Sequence, residues 1–74
     1  MDHLEAFRQN LRRMAAEKDL TQKEIAARAD ISEQHVNMIM NKRRNPTLYV
    51  AVKLAHALGV TLTEMLEGAE YVEY

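Results

Sequence analysis

Apolar residues recur along the chain at helical spacing in five blocks, parted by short polar stretches. Leu4, Phe7, Leu11 and Met14 form the first stripe, and Asp2 with Glu5 offers a capping pair ahead of it, which predicts a helix running to about Lys18. Asp19 and Leu20 make the link to the next element, with Asp19 standing where a left-handed cap usually has Gly. Thr21 and Glu24 form a T-x-x-E capping box, and Ile25, Ala26 and Ala29 give the second helix a narrow apolar stripe. Ser32 caps a third helix, on which Val36, Ile39 and Met40 share one side and which ends near Asn41. Pro46 in the segment KRRNP forbids further helix. Thr47 then caps a fourth helix with Leu48, Ala51, Leu54, Ala55 and Leu58 expected to face inward and Gly59 to close it. A second capping box, Thr61 with Glu64, precedes Leu62, Met65 and Leu66, so a short fifth helix is expected to end at Gly68. The domain should thus span residues 1–68, and the tail 69–74, AEYVEY, fits a short strand, a helical extension or a frayed end.

Helices two and three stand too close for anything but a three- or four-residue turn through Ala29, Asp30 and Ile31. Asp tolerates the left-handed backbone such turns require, and Ala26 is small enough to let two helices cross closely. The side of the third helix opposite its apolar stripe carries Gln34, Asn37, Met38 and Asn41. Gln and Asn can each donate and accept in a bidentate contact with adenine, Glu33 could accept from cytosine, and a Met could meet a thymine methyl. The plain alternative is a solvated polar face.

A chain of 74 residues permits one domain. It has no cysteine, so helix packing must supply the stability without disulfides or Cys-based zinc sites. Two glycines and one proline in a sequence dominated by helix formers leave an all-α reading little competition. The longest apolar runs are far too short for a bilayer, and MDHLEAF lacks the features of a signal peptide, so a cytoplasmic protein is expected.

A formal net charge of −1 argues at first against nucleic acid. Its distribution argues otherwise. From Arg8 to Lys53 the chain holds all ten Lys and Arg against five acids, while residues 1–7 carry two acids and residues 54–74 four, with no Lys or Arg in either. The middle can serve phosphates, and the acidic ends solvent, steering or a partner.

Other chemistry finds little to work with. His3, His35 and His56 fall on three different helices without an i, i+4 pair, which speaks against a metal site. Ser32, the only serine, is occupied as a cap, and there is no Gly-rich phosphate loop and no nucleophile beside a base. Neither an enzyme nor a bound cofactor is expected.

Five helices in this order, with LTQKEIAARADIS, then Val36 and Ile39, then KRRNPTL and LAHALGVTLTEML, resemble the lambda-repressor/Cro (xenobiotic-response-element) family of helix-turn-helix domains, over about Phe7 to Leu66. The resemblance implies a compact five-helix domain, with the motif at about 21–41, that binds double-stranded DNA as a transcription regulator with its third helix in the major groove. Base contacts are then expected from Glu33, Gln34, Asn37, Met38 and Asn41, and backbone contacts from Gln22, Lys23, His35, Lys42, Arg43, Arg44 and Asn45. Arg12 and Arg13 fit a plain surface-helix role equally well.

Two departures stand out. Family members often bury an Arg near the end of the first helix against a Glu near the end of the third, where this chain has Ala15 and Met40. Losing both charges together avoids stranding either one. Lys42 replaces a usual Gly, so Asn41 is expected to take the left-handed conformation one residue early.

So small a domain covers about half a site, and because operators of the family it resembles are commonly two-fold symmetric, the resemblance implies a homodimer on such an operator, in a bacterial or phage-encoded, nucleoid-associated protein that represses transcription. Helix five with the tail, through Met65, Leu66, Tyr71, Val72 and Tyr74, is one pairing surface; completion of the monomer's own core is the other use for those residues. The rival reading is an antitoxin or adaptor whose main role is a protein partner, bound through the tail, on the strength of the low net charge and the acidic, tyrosine-containing end.

Overall fold

The computed structural model describes residues 1–70, and in them the chain is built from five helices: α1 (His3–Glu17), α2 (Gln22–Ala29), α3 (Glu33–Met40), α4 (Leu48–Ala57) and α5 (Leu62–Met65). Each starts where a side chain can satisfy an otherwise unpaired helix N–H. Asp2, Thr21, Ser32, Thr47 and Thr61 each accept from the backbone N–H three residues on, and Glu24 and Glu64 reach back to complete two capping boxes.

The first four helices end alike. One residue turns left-handed, and the N–H after it reaches back five residues: Leu20 to the Ala15 carbonyl at 2.9 Å, Ile31 to Ala26 at 3.1 Å, Arg43 to Met38 at 2.9 Å and Val60 to Ala55 at 3.0 Å. The left-handed residues are Asp19 (φ 53), Asp30 (φ 56), Lys42 (φ 62) and Gly59 (φ 72). Only at Gly59 is that conformation free of a Cβ penalty. Asn41, expected to be the left-handed residue after α3, instead has φ −99, because Lys42 keeps the turn where a glycine would put it.

The core is one cluster. Leu11, Ile25, Val36, Ile39, Leu54 and Met65 are fully enclosed, with Phe7, Met14, Ala26, Ala29, Met40 and Leu58 around them. α2 packs on α3 and α4, α1 on α3 and α5, and α4 on α5. Ala26, at 4% exposure, is part of the core on α2, the helix that packs on both α3 and α4, and its small side chain suits such close packing. Among the described residues no helix is long and apolar enough to cross a membrane.

Two further expectations are corrected. Leu48 does not face inward: it is 72% exposed, because α4 begins at that residue and its buried side runs through Val50, Ala51, Leu54, Ala55, Ala57 and Leu58. α5 ends at Met65 rather than Gly68, and residues 66–68 continue as turns. Of the two uses open to Met65 and Leu66, the monomer's own core takes Met65, which is fully buried, with Leu66 packed half-buried against that core. Tyr71, Val72 and Tyr74 lie outside the described residues.

Candidate nucleic-acid interface

α3 is held along one side and left open along the other. Val36, Ile39 and Met40 are buried, while Glu33, Gln34 and Asn41 are exposed and His35, Asn37 and Met38 are half-buried. Ser32 fixes the start of the helix through its hydroxyl, which accepts the His35 N–H at 3.0 Å. The amide-bearing side expected from the sequence is therefore the side that faces out.

Gln22, the first residue of α2, comes against this surface. Its Oε1 accepts from Asn37 Nδ2 at 3.1 Å, and its Nε2 lies 3.5 Å from the sulfur of Met40. The bond joins the start of α2 to the middle of α3, so one expected phosphate contact and one expected base contact are coupled. Met40 and Ala15 are both 7% exposed, so the two positions expected to lack an ion pair are filled by apolar groups inside the core, and Met40 offers Gln22 a soft partner. Lys23 is exposed beside Gln22 on the first turn of α2. Glu24, whose carboxylate accepts from the Thr21 backbone N–H and hydroxyl, is held below the usual glutamate pKa by those bonds.

The far end of α3 shows what sequence periodicity missed. The last four carbonyls of a helix lack internal partners, and here each has found one. Asn37 O accepts from Asn41 N and from Asn41 Nδ2 at 2.9 Å, and Met38 O accepts from the N–H groups of Arg43 and Arg44. Ile39 O accepts from Arg8 Nε at 2.8 Å, and Met40 O from both Nε and Nη2 of Arg12. Arg8 also reaches the loop, donating through Nη2 to Arg44 O at 3.1 Å and to Asn45 Oδ1 at 2.7 Å. Neither arginine has a carboxylate within ion-pairing distance among the described residues, where the two ion pairs are Arg13 with Glu17 and the N-terminal ammonium with Glu70.

Arg8 is 7% exposed, as is Asn10, whose Nδ2 donates to Met65 O at 2.8 Å and Glu67 O at 3.0 Å and so ties α1 to the end of α5. Both flank the stripe of Phe7, Leu11 and Met14 at three- and four-residue spacing, a signal that could have marked them as inward-facing polar groups. Arg12, read equally as plain helix surface, is bound to α3 instead.

Lys42, Arg43 and Arg44 are exposed and stand next to the end of α3. Asn45 is exposed as well, but its side-chain oxygen is engaged by Arg8, so it helps hold the loop. A line of basic and amide groups thus runs from Gln22 and Lys23, across the open face of α3, to Arg43 and Arg44. The two helices, their tight left-handed turn and this uncovered second helix define a helix-turn-helix DNA-binding domain.

Comparison with known proteins agrees. The helix-turn-helix family model matches residues 11–65, and the chain belongs to that family, the DNA-binding, non-enzymatic transcription regulators of lambda-repressor/Cro type. It is 39% identical over 66 residues to an uncharacterized HTH-type transcriptional regulator, y4dJ, of Sinorhizobium fredii, spanning 89% of this chain and 86% of the relative. It is 34% identical to the control protein C.MunI of a Mycoplasma species, over 86% of this chain and 88% of that one. Among solved structures, the restriction-modification controller protein C.AhdI of Aeromonas hydrophila superposes with a TM-score of 0.78 at 31% identity, covering 84% of this chain and 94% of that one.

Proposed function

We propose that this regulator is a sequence-specific repressor that binds a two-fold operator as a homodimer, with α3 of each copy in the major groove. Gln34, Asn37 and Met38 read base edges, with Glu33 and Asn41 at the ends of the row. Gln22, Lys23, His35, Lys42, Arg43, Arg44 and Asn45 position the protein on the backbone. One observation carries this reading: the exposed face of α3 bears the amides and is bordered by a helix N-terminus at Gln22 and a basic loop at Arg43 and Arg44. A helix N-terminus favours a phosphate through its unpaired N–H groups and dipole. The likeness to controller proteins supports the regulatory half of the proposal.

Pairing finds support on α4 rather than α5. Leu48, Tyr49 and Val52 are 72%, 70% and 48% exposed and lie along one side of α4, an apolar strip outside the monomer core, with Lys53 Nζ 4.6 Å from the centre of the Tyr49 ring. We place the contact with the second copy there.

A salt titration separates DNA recognition from the antitoxin or adaptor alternative, in which a protein partner is the main ligand. DNA binding should lose ~0.9 in log K per tenfold rise in salt for each phosphate neutralised. An adaptor's complex would tolerate salt and survive Arg43→Ala with Arg44→Ala.

A further inference from the structure

We propose that Arg8 is a positioning residue for DNA binding: it locks the loop of residues 42–46 to the end of α3 so that Arg43 and Arg44 meet the DNA backbone in a fixed pose. The inference rests on the reading of Arg43 and Arg44 as phosphate contacts.

Three observations point to it. Arg8 is a nearly enclosed cation with no carboxylate near it among the described residues, and its acceptors are all neutral oxygens: Ile39 O, Arg44 O and Asn45 Oδ1. Burying such a charge is unfavourable unless it is fully hydrogen-bonded, and an apolar residue would complete this part of the core without that penalty. The acceptors also belong to two different segments, Ile39 to α3 and the others to the loop, so the guanidinium fastens one to the other. Its planar fork donates in fixed directions, which suits it to hold two segments in register.

The loop needs this fastening. It opens on Lys42 in the left-handed region, a conformation a lysine does not favour, and the local bonds from the Arg43 and Arg44 N–H groups to Met38 O carry it only as far as residue 44. Arg8 grips the Arg44 main chain itself, and through it the direction in which Arg43 and Arg44 leave the surface. The partial negative charge at the C-terminal end of α3 stabilises Arg8 where it lies, and Arg12 on Met40 O adds a second cation there. A positioning role and a purely packing role for Arg8 differ in what they predict for binding.

The test uses the full chain and a mixed-sequence DNA duplex at low salt, since phosphate contacts do not depend on sequence. Dissociation constants are measured across a salt series for wild type, Arg8→Lys, the Arg43→Ala/Arg44→Ala pair and the triple variant, with helicity and melting recorded for each. Arg8→Lys keeps the charge and loses the fork. It is expected to remain folded, bind roughly tenfold more weakly and show a shallower salt slope, approaching that of the loop pair. The triple variant is expected to bind no more weakly than the loop pair alone.

If Arg8→Lys is folded and binds as wild type, or if its loss multiplies with that of the loop pair, the positioning role is wrong while the loop reading stands. If the loop pair alone leaves affinity and slope unchanged, the phosphate reading falls and the proposal with it. Should Arg8→Lys melt below the assay temperature, Arg8→Gln is compared in the same way at a temperature where it is folded, with the same two outcomes.

Discussion

Asn37 Nδ2 donates to Gln22 Oε1 at 3.1 Å, so the residue that opens α2 and a residue on the open face of α3 hold each other in place. Each amide is thereby oriented before any ligand arrives, which lowers the ordering cost of a contact made by either. Gln22→Ala is expected to weaken binding to all duplexes and also to blunt discrimination at the base pair assigned to Asn37. Asn37→Ala should cost about 1 to 3 kcal/mol at that base pair. A double-mutant cycle on a matched and a mismatched duplex checks this: the two substitutions should be non-additive on the matched site, and strict additivity would show that the bond has no part in recognition.

Lys42 holds the left-handed position that ends α3, at φ 62. A non-glycine residue there costs on the order of 1 kcal/mol, so Lys42→Gly should stabilise the domain by roughly that amount, which for a domain of this size is a rise in Tm of about 4 to 8 °C. The gain is partly offset by glycine's greater freedom in the unfolded chain. Thermal melting followed by circular dichroism decides it, and a lower Tm would mean that the lysine side chain stabilises the loop by more than its backbone strain costs.

What the sequence made legible was whatever is local. Five capping residues, the left-handed Asp19 and Asp30, and the buried sides of α2 and α3 come from spacing and side-chain chemistry within a few residues, and all are present; on α1 Phe7, Leu11 and Met14 are buried as expected, while Leu4 at the helix start is only half-buried. The same periodicity turned the amides of α3 outward. The spacing of Arg8 and Asn10 beside the α1 stripe marks them as inward-facing, but their partners lie 31 to 57 residues away, so the sequence does not say which carbonyls they reach. Leu48 was misplaced because an apolar residue in a first turn matches the stripe in spacing but lies beyond the edge of the core. For the Lys42 turn, the missing glycine suggested a shift by one residue; the hydrogen bonds from Arg43 N and Arg44 N to Met38 O keep the register instead.

Glu24 gives the fold a pH dependence whose sign is determined. The Thr21 backbone N–H, then the Thr21 hydroxyl, hold its carboxyl below the usual value when folded. A depressed folded pKa means stabilisation that is complete above the ordinary glutamate value of 4.5 and is lost as pH falls through the lowered one. Asp2, lowered chiefly by the Glu5 backbone N–H, acts in the same direction from its ordinary value of 3.8. Tm should therefore fall on acidification below those values, and Glu24→Gln should flatten part of that fall while lowering Tm near neutrality. An unchanged acid limb in Glu24→Gln would show that the α2 capping box adds nothing to the pH response.

The strip of Leu48, Tyr49 and Val52 makes pairing testable apart from DNA. Leu48→Glu, at a position 72% exposed in the monomer, should leave melting of the monomer nearly unchanged. In sedimentation equilibrium it should shift the protein toward monomer, and it should reduce affinity for a two-fold site more than for a half-site. A variant that dimerises as the wild type does would place the contact elsewhere on the surface.

The open side of α3 is tested most directly by selecting bound duplexes from a random pool with the wild-type chain and with Gln34→Ala. Wild type is expected to yield a two-fold motif, and Gln34→Ala the same motif with preference relaxed at a single base pair per half-site, a loss of about 1 to 3 kcal/mol confined to that position. Identical motifs from both proteins, or an even loss across all sequences, would contradict base reading by that face of the helix.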